Sequence, residues 1–455
     1  MQGCSPRALR AFAVIVPLAL AGLLAGCKTE EPVKPVEDVE RQLGPGECAL
    51  KKLDASQWPD VGAAWRSRGP NLDAAVRQSI DWFGKPGSRK FFPFMQVCTG
   101  DQAAASVVAF QQILHDSKDE ASFVGALKQH FDVWQTVGWN GKGGVRFTGY
   151  CTPEFKGSLK QTAEFKYPLY KRPDSLVTDP ATGEPQGQRA ADGSVKPWPA
   201  RRQLEESGAF KGSELVWLSS PLDVYIIQVN GSAKILLPDG KPFFVGYAGK
   251  TGGKYASLGY GCRDAGLIPK DQSPSLRGIE MAYQKDPAKV QELIWRNENM
   301  VFFAAYEGDQ WPAGSLGFKV TEKETLATDK QVYPRGGVVM VDTTIPELSG
   351  KTVPFRQFML DQDTGGAIRA PGRADIYMGI GPAAKILAGD EVANGTLYYL
   401  FLKPESVSQF PMPAKKGGGD AKAADKPGDK AAGTKAKGKS QKGLKPPSDP
   451  NDANK

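Results

Sequence analysis

The residues best suited to chemistry are two aspartates on either side of a glycine pair, in the run DQDTGGAIRAPGRADIYMGIGPAA. Asp363 precedes Gly365 and Gly366, and Asp375 follows twelve residues after Asp363. A strand, a glycine turn and a returning strand of that length predict both carboxylates at one end of a sheet. Paired carboxylates in a groove suit general acid–base chemistry on a glycosidic bond. The alternative is that each aspartate stabilises a turn by local hydrogen bonds.

The positions of the histidines and cysteines disfavour other kinds of active site. The two histidines, His115 and His130, fall in helical patterns, and we interpret them as partly exposed helix residues. The C-terminal half therefore has no histidine for a nucleophilic triad or a histidine metal site. The sequence also contains no CxxC pair, which disfavours zinc and redox motifs. We predict no metal and no cofactor.

The N-terminus has the pattern of a targeting segment. Arg7 and Arg10 precede the apolar run AFAVIVPLALAGLLAG, which is short for a membrane span and ends at Cys27. Its end, LAGC, is similar to the bacterial lipoprotein box, so we predict a signal peptide over 1–26 and lipidation of Cys27. An ordinary signal peptide and a short membrane anchor are the alternatives. Lys28, where an aspartate would indicate the inner membrane, favours the outer membrane.

The positive charge of the chain is concentrated near its C-terminus. The formal net charge is +8, and residues 411–455 alone hold eleven lysines and five aspartates. The rest is close to neutral, which disfavours nucleic-acid binding. The stretch 405–455 is rich in Lys, Ala, Gly and Pro and predicts a disordered tail, either a solvated extension or a loose contact with anionic envelope polymer.

Four cysteines remain after the targeting segment, namely Cys48, Cys98, Cys151 and Cys262. In an oxidising compartment outside the cytoplasm, two disulfides are plausible. Three connectivities are open, and the similar flanks GYC and GYGC favour Cys151 with Cys262.

Helical patterns fill the region from about residue 50 to residue 137. Asn71 or Asp73 is a candidate start for one helix, and Asp101 is a candidate cap for the next. In KDEASFVGALKQHFDVWQTV the apolar residues recur at helical spacing as far as Trp134, which predicts one continuous helix.

Strand patterns begin at Val145 and continue to about residue 404. Asn230-Gly231 lies between two alternating runs and predicts a β-hairpin. A helical passage over about 275–297 interrupts the strands, and Pro287 is placed to start its second half. This mixture of patterns predicts an α+β protein.

Several motifs, in order, resemble the membrane-bound lytic murein transglycosylase A (MltA) family. They lie between residues 145 and 403 and read FTGYCTP, QVNGSA, FVGYAGKTGGKYASLG, NENMVFF, LATDKQVYPRG and DQDTGGAIRAPGRADIYMGIGPAA. The last two resemble the family's C-terminal module, which is named for three aspartates. Those aspartates fall here on Asp329, Asp363 and Asp375.

The resemblance implies a fold that is mainly β with N-terminal helices (α+β). A double-psi β-barrel would carry a second, smaller inserted β-domain, with a substrate groove between the two. The expected segments are a lipoprotein signal peptide (1–26), a flexible tether (27–46), the N-terminal helices with the first part of the barrel domain (47–154), the inserted β-domain (155–299), the barrel with the three-aspartate module (300–404) and the disordered tail (405–455).

The resemblance implies a lytic transglycosylase. Such an enzyme cleaves the β-1,4 bond between N-acetylmuramic acid and N-acetylglucosamine in peptidoglycan and leaves 1,6-anhydromuramyl ends. Asp375 matches the family's single general acid/base, Asp363 is its neighbour in the catalytic site, and Asp329 is assigned to a turn. The candidate glycan contacts are Tyr150, Gln228, Asn230, Tyr247, Tyr255, Gly365, Gly366 and Tyr377.

The implied partners are peptidoglycan glycan strands and, through the lipid on Cys27, a membrane. The implied location is the cell envelope, at the outer membrane and facing the periplasm. Two alternatives stay open. A two-carboxylate glycan hydrolase would use Asp363 and Asp375 as a pair, whereas a non-catalytic peptidoglycan-binding lipoprotein would keep both aspartates for barrel turns.

Overall fold

A computed structural model of the protein describes residues 38–179, 183–272, 274–307, 311–366 and 368–413. The predicted signal peptide, the lipidation site Cys27, the first part of the tether and the tail beyond residue 413 lie outside these ranges. Within them, none of the helices combines the length and the apolar character needed to cross a membrane.

Seventeen strands lie in the part of the chain that the structure describes. In chain order they are β1 (Leu50–Lys52), β2 (Phe131–Thr136), β3 (Val145–Thr152), β4 (Glu154–Lys156), β5 (Tyr167–Tyr170), β6 (Leu176–Thr178), β7 (Pro185–Arg189), β8 (Val195–Lys196), β9 (Glu214–Leu218), β10 (Ser232–Leu236), β11 (Pro242–Lys250), β12 (Val301–Tyr306), β13 (Thr325–Ala327), β14 (Val338–Pro346), β15 (Thr352–Asp363), β16 (Arg373–Ile380) and β17 (Val392–Leu402).

The same described ranges contain ten α-helices and three short 3₁₀ helices. The α-helices are α1 (Val61–Arg66), α2 (Leu72–Phe83), α3 (Gly100–Asp116), α4 (Glu120–His130), α5 (Arg201–Glu206), α6 (Pro221–Asn230), α7 (Leu258–Asp264), α8 (Leu276–Lys285), α9 (Pro287–Trp295) and α10 (Gly381–Asp390). The 3₁₀ helices are Ala55–Gln57, Pro86–Phe91 and Pro404–Gln409.

The eight-stranded sheet closes into a barrel. Its strands follow the order β1, β2, β17, β14, β15, β13, β16, β3, and β3 also pairs with β17, so six strands form a closed ring. Two contacts of the ring, β13 with β15 and β3 with β16, are parallel, and the other four are antiparallel. The barrel with its surrounding helices confirms the predicted fold class, mainly β with N-terminal helices.

The N-terminal helices share one hydrophobic core with the barrel. Phe358 of β15 lies with its ring centroid 5.0 Å from that of Phe110 on α3 and 5.6 Å from that of Phe123 on α4. All three rings are fully buried. Buried aromatic side chains of this kind stabilise a fold by about 1.5–3 kcal/mol each. The helices therefore support the outer side of the strand that ends in Asp363.

Two helix boundaries differ from the predicted ones. The cap of α3 is Thr99, whose hydroxyl accepts a backbone hydrogen bond of 3.1 Å, while Asp101 lies in the first turn. Helix α4 ends at His130, and the chain continues as β2, so the prediction of one helix as far as Trp134 is wrong. Strand β2 pairs with both β1 and β17, and this pairing overrides the helical spacing of its apolar residues.

A second region, from β4 to β12, has its own sheet and cores. The strands β12, β11, β10 and β4 form one sheet, and helices α6 to α9 accompany it. One core contains Ile227, Val245 and Phe303, all almost completely buried. The predicted helical passage from 275 is confirmed as α8 and α9, with Pro287 as the first residue of α9.

The prediction of a hairpin at Asn230-Gly231 is wrong. The segment before it is the helix α6, which begins with Ser220 as N-cap and Pro221 in the first turn. Gly231 ends the helix in the left-handed conformation, with φ of 73°. A cap, a proline and a C-terminal glycine together favour a helix, although the apolar residues alternate as in a strand.

The four cysteines are free thiols in the structure, so the expectation of two disulfides is wrong. Cys151 lies on β3 of the barrel and Cys262 on α7 of the second region. Burial raises the pKa of the Cys98 thiol to about 12 and that of Cys151 to about 11. Both thiols therefore stay protonated at neutral pH.

Both histidines are helix residues, as predicted. His115 of α3 contacts Asp73 (Nε2–Oδ1, 2.7 Å), and His130 at the end of α4 contacts Ser406 (Nδ1–Oγ, 3.2 Å). Ser406 belongs to the 3₁₀ helix Pro404–Gln409, and the ring of the buried Phe410 packs against His130. The chain is thus folded beyond residue 405, where the sequence predicts the tail to begin.

Candidate active site

Strand β13 places the two aspartates on the same face of the barrel wall. Ala327 of β13 pairs with Asp363 of β15 on one side and with Asp375 of β16 on the other. Residues that pair across strands point to the same face. Two strand spacings separate the aspartates, which gives about 10 Å between their Cα atoms. The predicted hairpin between them is wrong, because β13 lies between β15 and β16.

The Asp375 carboxylate is held through one of its oxygens. The Thr148 hydroxyl donates a hydrogen bond to Oδ1, and Arg373 Nε donates to the same oxygen at 3.2 Å. Arg373 Nη2 in turn donates to the Thr148 hydroxyl at 3.3 Å. Among the described residues, no hydrogen bond reaches Oδ2. The carboxylate is therefore oriented, while Oδ2 is available for proton transfer.

The Asp363 carboxylate is held through both oxygens. Backbone N–H groups of Ser315 and Thr364 each donate to Oδ1 at 2.8 Å, and the Tyr150 hydroxyl donates to Oδ2 at 2.9 Å. Burial raises the pKa of Asp363, and these three hydrogen bonds together with the charge of Lys330 oppose that rise. Asp363 is thus a fixed acceptor at the end of β15.

Two tyrosines connect the aspartates to the second region. The rings of Tyr150 and Tyr377, which pair across β3 and β16, lie 5.1 Å apart between centroids. Tyr377 Oη contacts Thr152 Oγ1 at 2.8 Å, and Thr152 contacts Ser232 of β10 at 3.3 Å. Burial raises the pKa of both phenols, and the charge of Asp363 adds to the rise for Tyr150. Both stay protonated and able to donate.

Tyr255, in the second region, is within electrostatic range of the barrel carboxylate Asp375. It lies in the loop between β11 and α7 and is 41% exposed. Burial of its hydroxyl raises the pKa of Tyr255, the charge of Arg373 lowers it, and that of Asp375 raises it. Since both charges act on this phenol, the loop lies close to Asp375.

The other predicted glycan contacts of the second region lie farther from the aspartates. Gln228 is buried and accepts a hydrogen bond from the buried Arg201. The Asn230 amide donates to the carbonyl of Ile226 within α6 at 2.9 Å. Tyr247 is exposed; burial of its hydroxyl and the charge of Glu184 raise its pKa to about 12. The contacts of these three residues include neither aspartate.

Asp329 and the glycine pair shape the backbone. The Asp329 carboxylate accepts from the amides of Gln331 (3.0 Å) and Ala370 (2.8 Å), which confirms the predicted role in a turn. Gly365 and Gly366 do not have positive φ values, so this turn does not need backbone angles reserved for glycine.

The sequence reasoning missed Thr148, Arg373 and Ser315. Thr148 lies two residues before Tyr150 on β3, so strand alternation puts both side chains on one face. The motif FTGY therefore contains enough information to predict Thr148 as a site residue. Arg373 lies two residues before Asp375 on β16 in the same way. The Ser315 contact depends on a loop that returns to β15, and nothing in the local sequence indicates it.

The barrel and its aspartates define a protein that carries a 3D domain. The family model described as "3D domain" matches residues 324–401, and the one described as "MltA specific insert domain" matches residues 146–304. These two ranges cover the strands that hold the aspartates and the second region, respectively.

Relatives and solved structures agree with the two family models. Membrane-bound lytic murein transglycosylase A of Escherichia coli K12 is 28% identical over 282 residues, which cover 61% of this chain and 72% of the relative. The Vibrio cholerae protein of the same name is 28% identical over 288 residues, 62% of this chain and 72% of the relative.

A crystal structure of membrane-bound lytic murein transglycosylase from Agrobacterium tumefaciens superposes with a TM-score of 0.64 at 22% identity, covering 80% of this chain and 99% of that one. E. coli MltA with bound chitohexaose superposes with a TM-score of 0.59 at 25% identity, covering 78% and 95%. In both matched ranges the chain is similar to the membrane-bound lytic murein transglycosylase A family.

Proposed function

We propose that the protein is a peptidoglycan lytic transglycosylase. It cleaves the β-1,4 bond between N-acetylmuramic acid and N-acetylglucosamine and leaves 1,6-anhydromuramyl ends. The names of its relatives and the chitohexaose bound to E. coli MltA support this reaction class. The observation that carries the proposal is the unequal binding of the two carboxylates: donors from the described residues reach one oxygen of Asp375 but both oxygens of Asp363.

Asp375 performs both proton transfers. As an acid it donates a proton from Oδ2 to the glycosidic oxygen while the bond from that oxygen to C1 of N-acetylmuramic acid breaks. As a carboxylate it then removes the proton of the C6 hydroxyl while the C6 oxygen bonds to C1. The proton lost in the first transfer returns in the second, so no water is consumed. One carboxylate suffices because the substrate supplies the nucleophile.

Thr148 and Arg373 orient the reacting carboxylate. Both hold Oδ1, so rotation of the carboxyl group is restricted and Oδ2 faces the substrate. The Arg373 guanidinium also balances the negative charge that Asp375 carries between the two transfers.

Aromatic faces hold the glycan on both sides of the reacting bond. Tyr150, packed against the buried ring of Tyr377, forms the barrel side, and Tyr255 and Tyr247 form the side of the second region. Stacking on sugar faces combines apolar contact with hydrogen bonds at the ring edges. The backbone at Gly365 and Gly366 contributes next to Asp363, while Gln228 and Asn230 contribute by shaping α6.

The enzyme is placed in the cell envelope, held by lipid on Cys27 at the outer membrane and facing the periplasm. The relatives named as membrane-bound support the envelope location. Peptidoglycan glycan strands would then lie within reach of the anchored protein.

The test is digestion of purified peptidoglycan, with mass spectrometry of the released fragments. The wild type should release muropeptides that are lighter by one water than hydrolysis products. Asp375→Asn should lose about 10²–10⁴-fold of this activity, while Asp239→Asn, in an exposed turn, should keep it. Hydrated reducing ends would indicate a hydrolase, and binding without release would indicate a non-catalytic protein. Full activity of Asp375→Asn would refute the role of Asp375.

A further inference from the structure

Asp363 lies where a hairpin meets the barrel. The hairpin spans residues 313–319: Ala313 pairs with Lys319, and the Gly314 amide donates to the Phe318 carbonyl at 2.9 Å. At its tip side, the Ser315 amide donates to Asp363 Oδ1 at 2.8 Å. We infer that Asp363 is a positioning residue, whose carboxylate fastens the 313–319 hairpin and the Tyr150 hydroxyl to the wall of the site. This inference rests on the proposed function and assigns the proton transfers to Asp375 alone.

The backbone of the 313–319 hairpin lies directly on the carboxylate. A Cβ added at Gly314 would come within 3.1 Å of Asp363 Cγ and within 2.7 Å of Val320 Cγ1. Real Cβ atoms essentially never show the shorter of these distances, and the longer one is tighter than most, because packed protein interiors resist overlap. A side chain at position 314 therefore requires Val320, Asp363 or the 313–319 hairpin to move, which we expect to disturb the bond from Ser315 to Asp363.

The same segment reaches the second region. The indole N–H of Trp311 donates to the carbonyl of Val245 on β11 at 3.1 Å, and its ring lies 4.4 Å from that of Phe244. On the barrel side, Phe318 packs against the main hydrophobic core, with the Lys85 ammonium 3.8 Å from its ring centroid. The chain from Trp311 to Phe318 therefore connects the two regions, and Asp363 holds it at its middle.

The second oxygen of Asp363 holds the other connection. Tyr150 donates to Oδ2 and stacks on Tyr377, which reaches Ser232 of the second region through Thr152. Thr152 ends β3, where the chain leaves the barrel for β4. The chain passes between the barrel and the second region at two places, the end of β3 and the segment from Trp311 to Phe318. The hydrogen bonds of Asp363 lead to both of them.

Engagement of both its oxygens distinguishes Asp363 from Asp375. A nucleophile or a base that activates water needs a carboxylate oxygen free to approach C1 or a water molecule. In Asp363 two amides bind Oδ1 and one phenol binds Oδ2, so each oxygen already has a donor from the protein. An asparagine has the same shape, its carbonyl oxygen accepts both amides, and its NH₂ group donates to the Tyr150 oxygen. It therefore preserves positioning and abolishes proton transfer.

The experiment compares variants of the full-length protein on soluble, uncross-linked peptidoglycan strands. Asp363→Asn should keep kcat within about tenfold of the wild type, with a KM change of a few fold, because its hydrogen bonds are retained. Asp363→Ala should lose about 10²-fold in kcat/KM. Gly314→Ala should reproduce the alanine effect with the carboxylate still present. Gly125→Ala, whose added Cβ meets no atom within 4 Å, is the matched control and should be unchanged.

Hydrogen exchange of the peptide covering 311–320 gives a readout independent of activity. Exchange of the Ser315 amide should be slow in the wild type, Asp363→Asn and Asp375→Asn, and fast in Asp363→Ala and Gly314→Ala. An Asp363→Asn variant as inactive as Asp375→Asn, with a protected hairpin, would make Asp363 a reacting carboxylate and overturn the inference. Unchanged activity of Asp363→Ala would overturn it too. Failure of the wild type to release anhydro products would refute the proposed function, while the exchange pattern would still decide the role of Asp363.

Discussion

The carboxylates of this protein fall into two environments, the wall that carries Asp363 and Asp375 and the buried interior of the fold, which carries Asp361, Glu324 and Glu391. On the wall, neutral hydroxyls and amides hold the carboxylates, with Arg373 as the near cation. In the interior, Asp361 is paired with the buried Lys330, whereas Glu324 and Glu391 have no ion-pair partner among the described residues. Asp361 and Asp363 lie two residues apart on β15, yet Asp361 is a structural carboxylate and Asp363 belongs to the candidate site.

The difference between the environments shows how one barrel can combine stability with chemistry. A fully buried charge must be paired or neutralised, because the interior solvates it poorly. Asp361 accepts from Lys330, from Thr328 at 2.9 Å and from Tyr399 at 2.7 Å. Asp375 is less completely satisfied, which leaves an oxygen for the substrate. The following predictions test this contrast, from the largest effect to the smallest.

Lys330→Met should destabilise the protein most. It removes the cation from Asp361, which is completely buried, and loss of one partner of a buried pair costs about 3–5 kcal/mol. Urea unfolding at neutral pH measures the free energy of unfolding. Arg202→Met, which breaks a surface pair with Glu292, is the control and should cost about 1 kcal/mol or less. Equal losses in the two variants would contradict the distinction between interior and surface.

Thr148→Val should slow the reaction without unfolding the protein. It removes a hydroxyl that donates to Asp375 Oδ1, and a hydrogen bond to a charged group contributes about 1.5–3 kcal/mol. We expect kcat to fall about 10–100-fold while KM changes little, since the orientation of the acid is lost. Thr148→Ser should restore most of the activity. A KM effect alone would show that Thr148 contacts the glycan.

Glu391 should make the protein less stable as the pH rises. Burial raises the pKa of Glu391 to about 8, and neither carboxyl oxygen has a hydrogen-bond partner among the described residues. The folded state then binds this proton more tightly than the unfolded state. The stabilisation is complete below about pH 4.5 and is lost as the pH rises through about 8, with a slope of at most about 1.4 kcal/mol per pH unit.

Glu391→Gln should remove that slope, because glutamine stays neutral at every pH. The free energy of unfolding, measured at pH 5, 6, 7 and 8, should show an advantage of the variant that grows with pH. Burial also raises the pKa of Glu324 to about 8, so Glu324→Gln should show the same advantage that grows with pH. The exposed Glu347→Gln serves as control. Parallel pH curves for Glu391→Gln and wild type would refute the prediction.

Tyr255→Ala should have the smallest effect, on substrate binding. The side chain is partly exposed within electrostatic range of Asp375, and loss of an aromatic face costs about 0.5–1.5 kcal/mol. We expect KM to rise a few fold with kcat nearly unchanged, and Tyr255→Phe to stay close to the wild type. Steady-state rates on soluble glycan strands measure both. A large loss of kcat would instead give Tyr255 a part in the chemistry.

Local features were predictable where neighbours along the chain decide them. Helix α9 begins at Pro287 and Asp329 accepts from the nearby Gln331 amide, as expected from helix-start and turn chemistry. Helix α2 begins after Asn71 as predicted, although the Asn71 side chain makes no capping hydrogen bond. Features that depend on distant partners were not predictable. The alternating run before Gly231 is a helix, and β2 is a strand because β1 and β17 lie on either side of it.

The sequence by itself determined the resemblance to the family, the α+β class and the two aspartates around which the site forms, because these depend on residue types in a fixed order. Only the tertiary structure decided how Asp363 and Asp375 are held. Strand β13 comes between them, Thr148 and Arg373 take one oxygen of Asp375, and Ser315 and Tyr150 take both oxygens of Asp363. The physical reason is that hydrogen bonds across strands and loops depend on register and chain crossing, which local sequence does not encode.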